Sequence, residues 1–337
     1  MNSNCYILAE YVWIGGNDEL RSKTRVLPES HKIDLVNLPL WDYDGSSTNQ
    51  ATCNESEVIL RPVAIYRDPF RTQFDIIVLC ATYKMDGTPL DNNHRDKAVA
   101  IFNKNLEMEP WFGIEQEYFL YNVNTNEPLG FDKNNKQGQY YCSVGAMNAF
   151  GRDIVEEHLQ LCLLAGLNMS GINAEVAPGQ WEYQVGPCTG IEAGDQLWVA
   201  RYIMERVSEK YNVRVTYEPK PLKGDWNGSG CHTNFSTKEM RCNDGLTLIY
   251  TAIDKLKNKH KEHMKMYGLN NQERLSGKHE TSSFDIFTSG NADRGASIRI
   301  GSKTIKDKCG YFEDRRPSGN MNPYLVTGMI FETTYIL

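Results

Sequence analysis

Hydrophobic and polar positions alternate over roughly the first 85 residues in the way that β-strands require. Three segments rich in β-branched and aromatic residues lie between turn-forming clusters: Tyr6–Ile14, Thr24–Leu27 and Asp75–Tyr83. A polar, turn-forming stretch over residues 86–93 then interrupts the pattern. We therefore predict a β-rich domain over residues 1–88 and a second domain over residues 89–337.

The second domain shows helical spacing of apolar residues instead. The spacing begins near residue 98 and predicts longer helices over residues 147–165, 194–210 and 245–267. Gly166 and Gly268 follow two of these segments, as expected for helix C-termini. Short strands lie between the helices, so the predicted fold class is α+β. His260 and His263 are expected on a solvated face of the last helix.

Composition narrows the class of protein. The 337 residues are 40% hydrophobic and 23% charged, as in a globular protein with a sizeable core. The net charge of −7 argues against nucleic acid as a partner, because binding to phosphate backbones needs clustered Lys and Arg. The longest apolar run, Ile76–Tyr83, is far shorter than the roughly 18 residues of a membrane span.

The cysteines and the N-terminus suggest a reducing compartment. The nine cysteines are scattered and form no C-x-x-C pair, which disfavours a disulfide framework or a zinc ribbon. Residues 1–5 lack the basic and then apolar pattern of a signal peptide. We expect a cytoplasmic protein whose partners do not include a membrane.

Paired carboxylates are the first chemical signal. Glu115 and Glu117 lie two residues apart in a segment of strand composition, so both side chains point to one face. A solvent-facing strand would show the same alternation. Glu175 and Glu182 flank the turn signal Pro178-Gly179, and a two-residue loop would place them directly opposite each other.

Opposed carboxylates repel unless a cation lies between them, so this hairpin is either a metal site or an exposed pair. A Pro-Gly type II turn fits a two-residue hairpin poorly, and the register can slip. Two further strands offer matching groups: His232, Asn234 and Ser236 on one face, and Glu313 with Arg315 on another. A structural histidine and a surface ion pair are the alternatives there.

Together these segments supply five Glu and one His as candidate ligands of a hard divalent ion, Mg²⁺ or Mn²⁺. The sequence contains no Walker A motif and no G-x-G-x-x-G after a strand. A nucleotide would therefore be held through metal ions and guanidinium groups. The candidate arginines in the C-terminal stretch are Arg294, Arg299, Arg315 and Arg316.

At this point the chain resembles glutamine synthetases of the eukaryotic type, the shorter class, over essentially its whole length. The segments that carry the resemblance are 41–48, 67–71, 111–118, 173–187, 220–221, 225–236, 274–277, 279–282, 296–300 and 310–317. The resemblance implies a small N-terminal β-grasp domain, followed by a catalytic domain with a curved antiparallel sheet flanked by helices. It also implies ATP-dependent ligation of ammonia to L-glutamate through γ-glutamyl phosphate.

The resemblance further implies two to three Mg²⁺ or Mn²⁺ ions in each active site. One ion would be bound by Glu117, Glu175 and Glu182, a second by Glu115, His232 and Glu313, and a third by Glu115, Glu182 and Glu313. The implied nucleotide-binding residues are Glu115, Glu182, Asn234, Phe235, Ser236, Arg294, Arg299, Tyr311, Phe312 and Glu313. ATP is implied as a substrate.

By the same resemblance, Arg294 and Arg299 would stabilise the transferred phosphoryl group. The amino-acid site would consist of Asp225, Trp226, Gly228, Arg274, Arg294 and Arg315, and the ammonium site of Asp44, Ser47, Tyr141 and Glu280. Asp44 would be the base that deprotonates ammonium, and Glu280 would lie on a flap that excludes water. Asp44 would act in the neighbouring subunit of a ring, in a decamer of two pentamers.

Two other functions fit the same fold. One is a related ligase that uses another amine or acid, although Asp44, Tyr141 and Glu280 match an ammonium site. The other is a catalytically inactive assembly protein, although such a protein should have lost metal ligands that are all present in this sequence.

Overall fold

The computed structural model describes residues 6–134 and 136–336. The first compact unit comprises Met1–Lys97 and Gln160–Leu167, and the second comprises Ala98–Leu159 and Asn168–Leu337. The domain limits of 1–88 and 89–337 stay a prediction, and the expectation for residues 1–5 lies outside the described residues.

The first unit contains a five-stranded sheet with the order β2-β1-β5-β4-β3. Its strands are β1 Tyr6–Ile14, β2 Leu20–Pro28, β3 Trp41–Asp44, β4 Glu57–Arg67 and β5 Ile76–Tyr83. The pair β1–β5 is parallel and the other pairs are antiparallel. Every residue of the central strand β5 is buried, which explains why this segment is the longest apolar run of the sequence. The three strands predicted here are confirmed.

The second unit contains a nine-stranded sheet that includes the path β12-β13-β14-β11-β6-β9-β8. Its strands are β6 Trp111–Asn122, β7 Glu127–Pro128, β8 Met169–Ala174, β9 Gln180–Thr189, β10 Val213–Thr216, β11 Cys231–Ser236, β12 Ser289–Asn291, β13 Ile298–Ile300 and β14 Phe312–Asp314. β7 and β10 also pair with β6, and β12–β13 is the only parallel pair among the described strands of this second sheet. This mostly antiparallel, curled sheet and its helices confirm the α+β prediction.

The helices are α1 His94–Phe102, α2 Arg152–Ala165, α3 Glu192–Tyr211, α4 Leu246–Asn258, α5 His260–Met264, α6 Ser302–Asp307 and α7 Pro323–Phe331. Single 3₁₀ turns cover Gly45–Thr48, Leu106–Met108 and Asn271–Glu273, and a π-helical turn covers Glu332–Ile336. The helix predicted over 194–210 matches α3. The helix predicted over 147–165 begins later, at Arg152, and the one over 245–267 divides at Lys259 into α4 and α5.

The prediction for His260 and His263 is wrong, because both side chains are buried. His263 contacts the hydroxyl groups of Tyr267 and Thr333 at 2.6 and 2.8 Å. His260 lies 3.1 Å from the Arg316 guanidinium. This face of the helix is therefore buried, and its histidines belong to a polar network. The spacing of apolar residues does not reveal a network of this kind.

No helix within the described ranges is long and apolar enough to cross a lipid bilayer. All eight described cysteines are free thiols, and four of them, Cys80, Cys162, Cys188 and Cys231, are buried.

Candidate active site

Three rows of polar side chains cross one face of the sheet in the second unit. Directly paired residues of neighbouring strands point to the same face, so each row follows from strand register. One row is Asn173–Glu182–Glu117, the next is Gln184–Glu115–His232, and the third is Asn234–Glu313–Arg299. These rows lie along a cavity of about 610 Å³, whose lining includes all but Asn234.

Glu115, His232 and Glu313 form a compact group of potential ligands. One ligand atom from each lies within 4.8 Å of the other two. The Nδ1 atom of His232 is 3.6 Å from a Glu115 carboxylate oxygen and 3.3 Å from Glu313 Oε1. Carboxylate oxygens with one imidazole nitrogen suit Mg²⁺ or Mn²⁺.

The protonation state of His232 also fits a metal ligand, which must be neutral. Burial and the charge of Arg315 lower the pKa of His232 to about 4, so the ring is neutral at pH 7. Arg274 Nη2 donates to His232 Nε2 at 3.2 Å, which leaves the ring proton on Nδ1, facing Glu313. If Nδ1 held a cation, the ring proton would have to move to Nε2 and replace the hydrogen bond from Arg274, so that the ring stays neutral.

The register of the predicted hairpin differs from the expected one. Gln180 N–H donates to Ala177 C=O across the turn, but the ladder continues with Glu175 N–H donating to Gln180 C=O. Glu182 consequently lies opposite Asn173, so the prediction that it faces Glu175 directly is wrong. A shift of two residues preserves the face, and both carboxylates still line the cavity.

The carboxylate that directly opposes Glu182 is Glu117, on the other side of β9. Burial, together with the charges of Glu115 and Glu117, raises the pKa of Glu182 well above its ordinary value. Burial likewise raises the pKa of Glu175, and Glu117 and Glu182 add to the effect. Within residues 6–134 and 136–336, neither Glu175 nor Glu182 pairs with Lys or Arg. The arrangement therefore favours a bound cation, which would remove the repulsion.

Four arginines surround the acidic groups. Arg299 and Arg315 donate to opposite oxygens of the Glu313 carboxylate at 2.9 and 2.6 Å. Arg274 is buried, and its Nη2 atom also donates to the Arg315 carbonyl at 2.8 Å. Arg294 lies 3.9 Å from Glu280. All four arginines have the donors needed to bind phosphate or carboxylate oxygens; Arg316 instead lies on the opposite face of the sheet.

A second cavity of about 440 Å³ shares Glu115 and Gln184 with the first. Asn234, Phe235, Ser236 and Tyr311, four of the residues predicted to border a nucleotide, line it. Phe312 lines neither cavity, because its side chain packs against Phe235 at a centroid distance of 5.6 Å. Trp111 and Arg241 also line this cavity and stack 3.8 Å apart.

The remaining predicted residues of the second unit lie partly in the first cavity and partly on a neighbouring loop. Tyr141, Gly228 and Glu280 line the first cavity. The Asp225 side chain is 95% exposed and contacts His279, and Trp226 packs against Phe131.

Asp44 and Ser47 belong to the first unit. Asp44 ends β3 and caps the 3₁₀ turn Gly45–Thr48. It accepts hydrogen bonds from the hydroxyl groups of Ser46 and Ser47 at 2.6 and 2.8 Å. These bonds hold the pKa of the Asp44 carboxyl group below its ordinary value.

Three amides orient the carboxylates, and sequence reasoning named only Asn234, beside a nucleotide, while it missed Gln184 and Asn173. Gln184 donates to Glu182 at 2.6 Å, Asn173 donates to Glu175 at 2.9 Å, and Asn234 donates to Glu115 at 2.8 Å. Gln184 could have been found, because it follows Glu182 with the same period of two. His279 was also missed as a contact of Asp225, since no local pattern brings these residues together.

The chain is similar to known proteins over nearly its full length. The family described as "Glutamine synthetase, catalytic domain" matches residues 94–264. The chain is 55% identical to glutamine synthetase cytosolic isozyme 1-5 of Arabidopsis thaliana over 336 residues, 98% of this chain and 95% of that protein. It is 53% identical to glutamine synthetase of Saccharomyces cerevisiae over 330 residues, 97% of this chain and 89% of that protein.

The fold is also similar to that of a solved structure described as "Apo GmaS without ligand". The TM-score is 0.76 at 19% identity, and the match covers 97% of this chain and 76% of that one. At this level of identity, the likeness concerns the fold alone.

Proposed function

This chain belongs to the glutamine synthetase family, and on that premise we propose how its cavities perform the reaction. The protein is a glutamate–ammonia ligase that uses ATP and divalent metal ions. A free carboxylate cannot expel oxide, so the γ-carboxylate of glutamate must first become an acyl phosphate. Ammonia then displaces phosphate and forms glutamine.

The acidic groups are proposed to hold two to three Mg²⁺ or Mn²⁺ ions. Glu117, Glu175 and Glu182 form one ligand set, Glu115, His232 and Glu313 a second, and Glu115, Glu182 and Glu313 a third. The neutral His232 and the raised pKa values of Glu175 and Glu182 support this assignment. Bound cations offset the negative charge of the transferred phosphoryl group.

The second cavity is proposed to take the nucleotide, beside Asn234, Phe235, Ser236, Tyr311 and the backbone of Phe312. Its shared wall at Glu115 would direct the γ-phosphate toward the first cavity. Arg299 and Arg294 would then contact the phosphoryl group during transfer, because their guanidinium groups line that cavity.

Glutamate is proposed to bind in the first cavity. Arg274 and Arg315 would hold its carboxylates, and Gly228 would line its backbone side. Asp225 and Trp226 lie on the loop that precedes Gly228 and would help to shape the glutamate site. A γ-carboxylate oxygen attacks the γ-phosphorus of ATP, and ADP leaves with the electron pair of the broken bond.

Ammonium is proposed to bind near Tyr141 and Glu280, with Asp44 and Ser47 supplied by the neighbouring subunit of a ring. Two rings of five subunits each would form a decamer. The Asp44 carboxylate would take a proton from NH₄⁺ and release nucleophilic NH₃. Glu280 would lie on a flap that excludes water from the acyl phosphate.

The observation that carries this proposal is the compact group of Glu115, His232 and Glu313, joined to Arg299 and Arg315 through the Glu313 carboxylate. The test measures phosphate release from ATP with Mg²⁺, adding glutamate and ammonium separately and together, with glutamine detection. Glutamine and phosphate formed only with both substrates would support the proposed mechanism. Glutamate-dependent phosphate release without glutamine would indicate another amine acceptor, and no turnover by an assembled protein would contradict the mechanism.

A further inference from the structure

The loop that carries Glu280 has an unusual backbone. We define the flap loop as residues 276–283. Within it, His279 and Glu280 have φ values of +55° and +60°, next to Gly277 at +76°. Consecutive non-glycine residues rarely adopt this left-handed conformation, which persists only when surrounding contacts hold it.

The His279 imidazole makes two such contacts outside the flap loop. Its Nδ1 atom lies 3.0 Å from Gln137 Nε2, and its Nε2 atom lies 3.1 Å from Asp225 Oδ1. The imidazole is 17% exposed. One side chain therefore connects the flap loop to two other loops at the cavity.

The direction of these hydrogen bonds is fixed by the backbone. Asn227 N–H donates to Gln137 Oε1 at 2.8 Å, so the Gln137 NH₂ group faces His279. Nδ1 of His279 must accept this bond, which leaves the proton on Nε2 to be donated to Asp225. Each of the three contacts therefore joins a donor to an acceptor.

Glu280 is held from the other side by the catalytic arginines. Its carbonyl oxygen accepts a hydrogen bond from Arg315 Nη2 at 3.3 Å, and its carboxylate lies 3.9 Å from Arg294. His279 therefore connects the flap loop to Gln137 and Asp225, while the arginines contact Glu280.

We propose that His279 is a positioning residue that latches the flap loop over the acyl phosphate, chiefly through Gln137. This inference rests on the proposed role of Glu280 in excluding water. The contact with Gln137 carries more weight than that with Asp225, because the Asp225 side chain is 95% exposed and an exposed pair stabilises little.

Loss of the latch has a specific chemical consequence. When the flap loop opens, water competes with ammonia for γ-glutamyl phosphate. The oxygen of water bonds to the acyl carbon, and phosphate leaves with the electron pair of the broken bond. The products are glutamate, phosphate and the protons that water releases. ATP is then consumed without forming glutamine, so the ratio of phosphate to glutamine rises above one.

The experiment compares this ratio in the full-length protein with ATP, Mg²⁺, glutamate and ammonium. For His279→Ala and Gln137→Ala we expect the ratio to rise from one to about two or more, because an open flap admits water. His279→Asn should return the ratio toward one, since Asn tolerates a left-handed backbone and its Oδ1 can accept from Gln137. Lys278→Ala is the matched control in the flap loop, where the Lys278 side chain is exposed, and should leave the ratio at one.

The outcomes separate this inference from the proposed function. A wild-type protein that makes no glutamine would overturn the proposed function before any variant is compared. A ratio of one in both alanine variants, even with slower turnover, would leave His279 with a purely structural role and overturn the latch. If His279→Ala does not fold, Gln137→Ala, whose side chain lies outside the flap loop, carries the same prediction.

Discussion

The segment Glu313–Arg316 presents opposite electrostatics on the two faces of one sheet. On the cavity face, Glu313 and Arg315 lie among Glu115, Glu117, Glu175 and Glu182, and the acidic groups repel one another. On the back face, Asp314 and Arg316 have side chains that are 0% exposed and pair at 2.7 Å. Alternate residues of one short segment thus serve different purposes.

The back face satisfies its charges within the protein. Arg316 donates to both Asp314 oxygens, and Tyr267 donates to one of them at 2.9 Å. Burial alone would raise the pKa of Asp314, but the Arg316 guanidinium outweighs burial and holds that pKa below its ordinary value. On the cavity face, the pKa values of Glu175 and Glu182 are raised instead. The back face contributes to folding, whereas the cavity face, in the function proposed above, is complete only with bound cations.

The largest effect on stability is expected from Arg316→Ala. The substitution leaves a buried Asp314 carboxylate without its cation, which should lower the free energy of unfolding by about 3–5 kcal/mol. Urea denaturation measures the change. Arg316→Met combined with Asp314→Leu removes both charges and should recover much of the loss. An unchanged urea midpoint in Arg316→Ala would show that the back-face pair does not stabilise the fold.

Glu313→Ala should show most clearly that the cavity face serves catalysis and that the back face serves folding. It removes a proposed ligand of two cations, so turnover should fall by at least about 10³-fold, because charge on the phosphoryl group is no longer offset. The fold and the assembly should persist, since Arg315 still donates to the carbonyl oxygens of Arg294 and Glu280. Phosphate release and circular dichroism check the two parts. Normal turnover in this variant would contradict the metal assignment.

Stability of the metal-free protein should depend on pH through the cavity face. Burial and the charges of Glu115 and Glu117 raise the folded-state pKa of Glu182 above its ordinary value of 4.5, so the folded state binds the extra proton. Stability should therefore fall as the pH rises above about 4.5. Glu182→Gln should reduce this loss by at least about 1 kcal/mol, because one pKa unit corresponds to about 1.4 kcal/mol. Thermal unfolding at pH 5 and pH 8 measures it, and equal slopes in both proteins would disprove the repulsion.

The smallest effect is expected from an exposed pair. Lys259 and Glu262 lie 3.4 Å apart with side chains 46% and 54% exposed, so solvent screens their attraction. Glu262→Gln should leave the urea midpoint and the turnover unchanged. A marked loss of stability would mean that an ion pair stabilises this protein even when it is exposed. Burial would then not explain why the pair on the back face matters.

Local periodicity predicted which segments form strands, and which residues face the cavity, better than it predicted which residues pair across neighbouring strands. The alternation of Glu115 and Glu117 placed both carboxylates correctly on one face, and β1 was predicted to the residue. The hairpin register was missed by two positions, because the ladder resumes at Glu175 and Val176 and Ala177 belong to the turn.

Contacts between distant segments were beyond sequence reasoning. His263 was expected in solvent, but it contacts Thr333, which lies 70 positions away. The latch between His279 and Gln137 spans 142 positions. Such pairs depend on the register of many strands, which no short pattern encodes. The family resemblance supplied the ligand grouping, and strand pairing then explains why Glu115 and His232 are neighbours.

The most direct test of the account is Mn²⁺ binding, measured by calorimetry on the wild type, Glu313→Gln and the control Glu262→Gln. The account predicts at least two ions per chain for the wild type and the control, with the binding events that use Glu313 weakened or lost in Glu313→Gln. Absence of binding at millimolar Mn²⁺ by a folded wild type, or identical binding by Glu313→Gln, would contradict the claim that the cavity face is built for cations.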